Sequence, residues 1–191
     1  LYAQGGMELV LETEREKAQL LGGLGIDVNL APVCDISTQS GAFMYRRSLG
    51  QSTEITGQFV AGVVETMQSQ GVAAVMKHFP GYGNNADTHV GIATDTRSLE
   101  SLERADLQPF FDGIAAGGNA ILVSHNIVTA LDDTLPASLS PKVMAYLREN
   151  MGYTGVIVTD DLVMGALEGF TPEQAATFLN YIEQPYTVKI T

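Results

Sequence analysis

Three pairs of reactive side chains each close a short apolar run: Lys77-His78, Ser124-His125 and Asp160-Asp161. The remaining one of the three histidines, His89, lies two residues after Asp87 in the segment that follows Lys77-His78. Residues of these types support two chemistries. One is a metal site, for which Asp87, His89, His78, His125 and Asp160 are candidate ligands. No H-x-H or H-E-x-x-H pair is present to anchor an ion. The other is covalent catalysis, with one carboxylate as nucleophile and a separate proton donor. Taken singly, each residue has a structural explanation. A strand-end histidine is most often hydrogen-bonded packing, Asp160 or Asp161 could cap a helix, Lys77 could reach solvent, and Asp87 could serve a turn. Those explanations would all have to coincide on one rim of a sheet, where ligands bind in parallel α/β folds.

The elements that must position these residues alternate helix and strand. Apolar residues at helical spacing run from Met7 to Leu24, with Glu12, Glu14, Arg15, Glu16 and Lys17 on the wet face. Strands are expected at 26–31, 73–79, 120–125 and 155–161, each nearly all apolar, as in strands covered on both faces. Between them, helices are expected from Ser52 or Thr53 to about Gln70, from Ser98 through Ile114, and from Ser140-Pro141, an N-cap followed by proline at the first helical position, to about Met151-Gly152. Thr171-Pro172-Glu173 starts a last helix. The pattern predicts an α/β fold with a parallel sheet.

Composition narrows the partners. The chain has 191 residues, 45% hydrophobic, with 10 Lys and Arg against 22 Asp and Glu, for a formal charge of -12. That balance gives no basic footprint for nucleic acid and disfavours anionic membranes. No apolar stretch approaches the roughly 20 residues that span a bilayer. The single cysteine, Cys34, excludes an intrachain disulfide and a cysteine-rich zinc site. The chain opens Leu1-Tyr2-Ala3-Gln4 without a charged segment leading into an apolar one. The expected compartment is the cytoplasm or, with the natural N-terminus apparently elsewhere, the cell envelope or beyond.

Lys77-His78-Phe79-Pro80-Gly81-Tyr82-Gly83, continuing to Asp87-Thr88-His89, resembles the signature of family 3 glycoside hydrolases of the β-N-acetylglucosaminidase type. Ala31-Pro32-Val33-Cys34-Asp35, Arg47-Ser48-Leu49-Gly50, Pro136-Ala137-Ser138-Leu139-Ser140 and the run from Gly155 to Leu162 are similar to the same family. The resemblance spans about residues 1 to 166. It implies a (β/α)8 TIM-type barrel and a retaining glycosidase. Such an enzyme removes terminal β-linked N-acetylglucosamine from cell-wall (peptidoglycan) or chitin-derived glycans, with a carbohydrate as partner and no cofactor or metal. It implies that Asp160 is the nucleophile, giving a covalent glycosyl-enzyme, and that His89 is the acid/base. Asp87 is close enough in sequence to orient the ring and favour the imidazolium, so His89 can donate a proton near neutral pH and later accept one from water. A histidine there would also repel phosphate less than a carboxylate, which leaves phosphorolysis as a variant. Lys77, His78 and Arg47 match residues that bind sugar hydroxyls, with Arg46 beside Arg47 as an alternative. Met164 matches a residue of the pocket wall, Tyr82 is expected to pack, and His125 is expected to give structural support.

The chain departs from the family pattern at both ends. The Asp-x-Glu-Gly-Gly-x-Val-x-Arg segment that precedes the matched region is not found, and residues 167–191 lack the Ala-Gly-x-Asp strand. The expectation is a single partial catalytic barrel over residues 1–191, with about half the strands recognisable and an atypical segment at 167–191. Its open apolar strand edges favour a homodimer. A sugar-binding remnant without turnover and a metal-dependent barrel hydrolase are the alternative functions.

Overall fold

The helices begin where side chains can satisfy their first N–H groups. The computed structural model describes residues 1–37, 39–85, 91–162, 167, 169–171 and 187–188. Helix α1 (Tyr2–Gly23) leaves helical geometry at Gly5 and Gly6, so its regular part starts near Met7, as the periodicity predicts. In α2 (Thr53–Ser69), Ser52 is the cap and its hydroxyl accepts from Ile55 N–H. The helix expected from Ser98 through Ile114 is instead two: α3 (Leu99–Arg104) and α4 (Gln108–Ala115). Pro109 has no N–H to bond back into α3, and Asp106, in the break, is buried against Arg97. Helix α5 (Pro141–Ala145) runs into a π-helical turn at Tyr146–Asn150. The helix expected from Thr171 lies outside the described residues. One residue of α1 corrects the sequence reading. Glu14 is buried, not on the wet face, with Oε1 against the Lys17 ammonium at 2.5 Å.

Asp132 ties the loop before α5 together. Its carboxylate accepts from Ser140 Oγ at 2.7 Å and from the Thr134 hydroxyl at 2.7 Å and N–H at 3.0 Å. Burial would raise its pKa, but these hydroxyls and the Thr134 and Leu135 N–H groups outweigh it and hold the value at about 2. The stability this contributes is full above the unfolded carboxylate's pKa of about 3.9 and is lost as pH falls through about 2. Asp132→Ala should cost about 2 kcal/mol at neutral pH. It should also flatten the acid limb of unfolding between pH about 4 and about 2, as read by thermal melts.

The strands form one parallel sheet with the order β1 (Val28–Asn29), β2 (Ala73–Phe79), β4 (Ala120–Val123), β6 (Val156–Thr159) and β7 (Thr187–Val188). A second, two-stranded parallel sheet pairs β3 (Thr94–Asp95) with β5 (Ile127–Val128). In the larger sheet each strand adds to the same edge as the last. Barrel winding has that order, whereas a doubly wound sheet reverses direction at a switch point. Among the described residues β1 and β7 are edges that do not pair with each other, so the barrel is partial and open. Four expectations change, two of them because β4 stops at Val123, short of 125, and β6 covers only 156–159 of 155–161. The first strand is shorter than 26–31, although Asp27, Ala31 and Pro32 carbonyls still accept from β2. A fifth strand, β7, lies in the segment where the sequence shows none.

Alternation along the strands separates two apolar faces. Met76, Ile121 and Ile157 pack with Val60, Val64, Phe110 and Leu147 of the helical layer. Val75, Ala120 and Leu122, with Val156, form the other face. Lys77 shares the parity of Val75, and Asp160 that of Val156 and Val158, so both belong to the second face. On that face Val28 and Leu30 are exposed and line an apolar cavity of about 370 Å3 with Ala73, Val75, Ala120 and Val158.

Candidate active site

Parallel pairing brings the reactive strand ends to one rim. Phe79 pairs with Val123, and Val123 with Thr159, so Lys77-His78, Ser124-His125 and Asp160-Asp161 emerge at nearly one level. The ladder from β2 to β4 slips between Lys77 and Phe79, where the Lys77–His78 peptide is cis. A register slip at a strand end re-aims the side chains beside it.

Asp160 is held at its backbone and at one carboxylate oxygen. Its N–H donates to the Val123 carbonyl at 3.0 Å, one step beyond the last β6 pair. Its Oδ1 accepts from Asp161 N–H at 3.0 Å. Asp160 is half-buried and Asp161 exposed. Lys77 is near enough to feel the charge of Asp160. Burial lowers the pKa of its ammonium, Arg47 lowers it further, and Asp160 and Asp35 oppose them.

Asp35 organises the next part of the rim. It is 1% exposed and accepts three hydrogen bonds: from His78 N–H at 3.0 Å, from His78 Nδ1 at 2.8 Å and from Tyr82 N–H at 2.8 Å. A carboxylate only accepts, so His78 Nδ1 carries a proton and Nε2 is the atom left for a ligand. The Tyr82 ring packs edge-on against His78, with centroids 5.3 Å apart, and against Phe43 at 5.7 Å. Phe43 in turn carries the Arg47 guanidinium over its face at 4.6 Å. A chain of ring contacts therefore links exposed Arg47 to buried His78, and Tyr82 packs as expected. Arg46 is exposed as well. Arg47 also borders a cavity of about 450 Å3 under α1, lined by Glu14, Ser48, Phe59 and Val63.

The loop after β2 is braced from behind. The Arg97 guanidinium donates to Asp95 through Nε at 3.0 Å and Nη2 at 2.6 Å, and to Asp106 through Nη1 at 2.6 Å. Burial opposes its charge, but the two carboxylates overcome this and raise the Arg97 pKa. Burial raises the Asp106 pKa, with Arg97 countering. The backbone of the loop passes directly over this group. A Cβ on Gly83 would lie 2.6 Å from Arg97 Nη2, and one on Gly81 would lie 2.8 Å from Asp106 Cβ. Both glycines have positive φ, at 54° and 114°, which only glycine adopts freely.

The structure thus gathers Asp160, Lys77 and His78 on one rim, with Arg47 joined to it through aromatic contacts. Asp87, His89 and Met164 lie outside the described residues. Both ring nitrogens of His125 are engaged, with Ser138 and with the Asp161 carbonyl, which leaves it no lone pair for an ion. Among the described residues no three His, Cys, Asp or Glu side chains group as metal ligands. No helix among them is long and apolar enough to cross a membrane. Sequence reasoning assigned no role to Asp35, Arg97 or Asp106. Asp35 carries the same signal as the other sites, a polar residue closing the apolar run Ala31 to Cys34. Nothing in the spacing joins Arg97 to Asp106.

Residues 1–178 match the family described as glycosyl hydrolase family 3 N terminal domain. A beta-hexosaminidase from Stenotrophomonas maltophilia (strain K279a) is 36% identical over 171 residues, which cover 87% of this chain and 50% of that protein. The chain therefore spans about half the length of the curated relatives it matches. Among solved structures, a family 3 beta-N-acetylglucosaminidase from Paenibacillus sp. str. FPU-7 superposes with a TM-score of 0.90 at 34% identity, over 97% of this chain and 36% of that one. NagZ from Neisseria gonorrhoeae, solved in complex with N-trifluoroacetyl-D-glucosamine, superposes with a TM-score of 0.83 at 28% identity, over 97% and 54%.

Proposed function

The chain belongs to glycosyl hydrolase family 3, as its N-terminal domain, and from that premise we propose that it works as a retaining β-N-acetylglucosaminidase. The observation that carries the reading is the Asp160 carboxylate at the end of β6. One of its oxygens is fixed by Asp161 N–H, on the rim that also presents Lys77 and His78. With Oδ1 held, Oδ2 is the attacking oxygen. Its lone pair forms the bond to the anomeric carbon as the bond to the leaving oxygen breaks, and His89, oriented by Asp87, gives that oxygen its proton. Water then attacks the same carbon, His89 takes the proton, and the carboxylate departs. Two inversions retain configuration. Lys77 and His78 Nε2 bind hydroxyls of the terminal sugar, Arg47 adds a contact from the rim, and Met164 lines the wall. The substrate is a terminal N-acetylglucosaminide of peptidoglycan or chitin-derived glycans. The names of the relatives and the N-acylglucosamine-type ligand of the Neisseria protein support that choice.

The test is hydrolysis of an aryl β-N-acetylglucosaminide by the purified chain, with the aryl β-glucoside alongside and each repeated with phosphate. Turnover selective for the acetamido sugar supports the reading, and acceleration by phosphate would make the enzyme a phosphorylase. Sugar binding without turnover would leave a binding remnant.

Lys77 gives the reading a pH signature. Because burial lowers its pKa below the ordinary lysine value, its positive charge is lost earlier on the alkaline side. KM for the sugar should therefore rise at a pH below that at which a free lysine titrates. In Lys77→Arg, whose charge does not titrate in that range, the alkaline rise should vanish.

Self-association is part of the same proposal. Ile26, Val28 and Leu30 are 41%, 52% and 43% exposed on and beside the edge strand β1, which is where a second copy would pair. Light scattering should show a dimer that Val28→Lys converts to a monomer. A monomeric wild type would remove this part.

A further inference from the structure

His125 and Ser138 are both fully buried and neither takes part in the reaction proposed above. His125 lies two residues beyond the end of β4. Its Nε2 lies 2.8 Å from the backbone carbonyl oxygen of Asp161, and its Nδ1 lies 2.6 Å from Ser138 Oγ. A carbonyl oxygen only accepts, so Nε2 carries the proton and, in the neutral ring, Nδ1 accepts from the Ser138 hydroxyl. Ser138 is itself fixed, since its N–H donates to the Ser124 carbonyl at 3.0 Å.

The residue gripped this way is the one after the proposed nucleophile. Asp161 N–H donates to Asp160 Oδ1, and Asp160 N–H donates to Val123 O. The same peptide unit chain is thus held from both sides. Val123 fixes the entry to Asp160, and His125, two residues beyond the end of that strand, fixes the exit from Asp161. The N–H that orients the Asp160 carboxylate belongs to the residue whose carbonyl His125 holds. The two peptide planes that flank the Asp161 Cα are thus both anchored, one on the Asp160 carboxylate and one on His125.

We propose that His125, set in its Nε2-protonated form by Ser138, is a positioning residue for the Asp160 carboxylate. It touches no substrate. It acts through the Asp161 backbone, fixing the angle at which Asp160 Oδ2 meets the anomeric carbon. The proposal rests on the assignment of Asp160 as nucleophile. A displacement of about 1 Å at an attacking atom lowers a rate by about 10²-fold, and that is the scale of effect expected here.

The experiment compares wild type, His125→Phe, His125→Gln and Ser138→Ala as full chains by kinetics and by NMR. In wild type, the His125 ring should show a protonated Nε2 and an unprotonated Nδ1. With an activated aryl β-N-acetylglucosaminide, His125→Phe should slow the formation of the glycosyl-enzyme about 10²-fold, with KM little changed. His125→Gln, whose amide N–H can reach the Asp161 carbonyl, should recover much of that loss. Ser138→Ala should fall between wild type and His125→Phe. A purely structural role would not split kcat from KM or be rescued by Gln. The Asp160 side-chain carboxyl resonance and the Asp161 carbonyl resonance should shift together in His125→Phe. An active wild type whose His125→Phe variant, folded, forms the glycosyl-enzyme at the same rate would overturn the positioning role and leave the glycosidase reading intact. A wild type without turnover would remove the glycosidase reading. The resonances then decide the positioning claim: an Asp160 carboxyl signal that does not move in His125→Phe, while the Asp161 carbonyl does, overturns it.

Discussion

Asp160→Asn should fold as the wild type does and lose turnover by on the order of 10⁴-fold or more. The carboxamide has the size of the carboxylate, and its oxygen can still accept from Asp161 N–H at the position Oδ1 holds. The backbone bond to Val123 does not involve the side chain. What is lost is the anionic oxygen that forms the covalent bond. Melting temperature and kcat measured on one preparation separate the two effects. Asp160→Ala adds a sharper form of the same expectation. In the space left by the carboxylate, azide should restore cleavage and yield the glycosyl azide of inverted configuration. The substitution should also be felt at Lys77. Asp160 is one of the two carboxylates that oppose the lowering of the Lys77 pKa. With it neutral, the alkaline rise in KM of any residual binding should move to lower pH.

Arg97→Met should be the most destabilising single change in the loop region, by about 3 kcal/mol. Arg97 is the shared partner of Asp95 and Asp106, whose side chains are 2% and 1% exposed. Removing one partner of a buried ionic group costs about 3–5 kcal/mol, because the charges left behind have no compensation. The low end applies because the guanidinium itself is 35% exposed. The sign with pH is the reverse of ordinary acid unfolding. Burial already raises the Asp106 pKa against the pull of Arg97; without that cation the folded state binds the proton first and gains stability as pH falls through the raised value. The difference between Arg97→Met and wild type should therefore shrink when melts are run near pH about 5 instead of pH 7. A catalytic consequence accompanies it. Gly81 and Gly83 lie against Asp106 and Arg97, and the sequence from there leads to Asp87 and His89. Loosening that support should lower kcat even where the variant remains folded.

Much of this arrangement was written locally in the chain. Ser52, Ser98 and Ser140 each cap the helix that the sequence placed after them. The apolar run Ala73 to Phe79 became β2 with the expected bounds. Parallel strands that end in Lys77-His78, Ser124-His125 and Asp160-Asp161 needed only a common direction to bring those pairs to one rim. The features that stayed hidden depend on contacts distant in sequence. Asp106 interrupts a helix whose apolar spacing continues unbroken through Leu107 and Phe110, because Pro109 and the buried ion pair with Arg97 outweigh the periodicity. Glu14 reads as a solvent residue on α1 but is buried where it lines the cavity that Arg47 also borders. Residues Thr187 and Val188 join β6 as β7 although they are too few to carry a strand pattern. Asp35 was in plain view, but its three acceptor bonds appear only once Lys77-His78 turns back toward it.

The central claim is that Asp160 becomes covalently bonded to the sugar. The direct measurement is the intact and peptide mass of the chain after incubation with a 5-fluoro β-N-acetylglucosaminyl fluoride, which forms a glycosyl-enzyme but releases it slowly. One added glycosyl group is expected, located on the peptide that contains Asp160 and absent from Asp160→Asn. A folded chain that acquires no adduct, or acquires it on another residue, contradicts it.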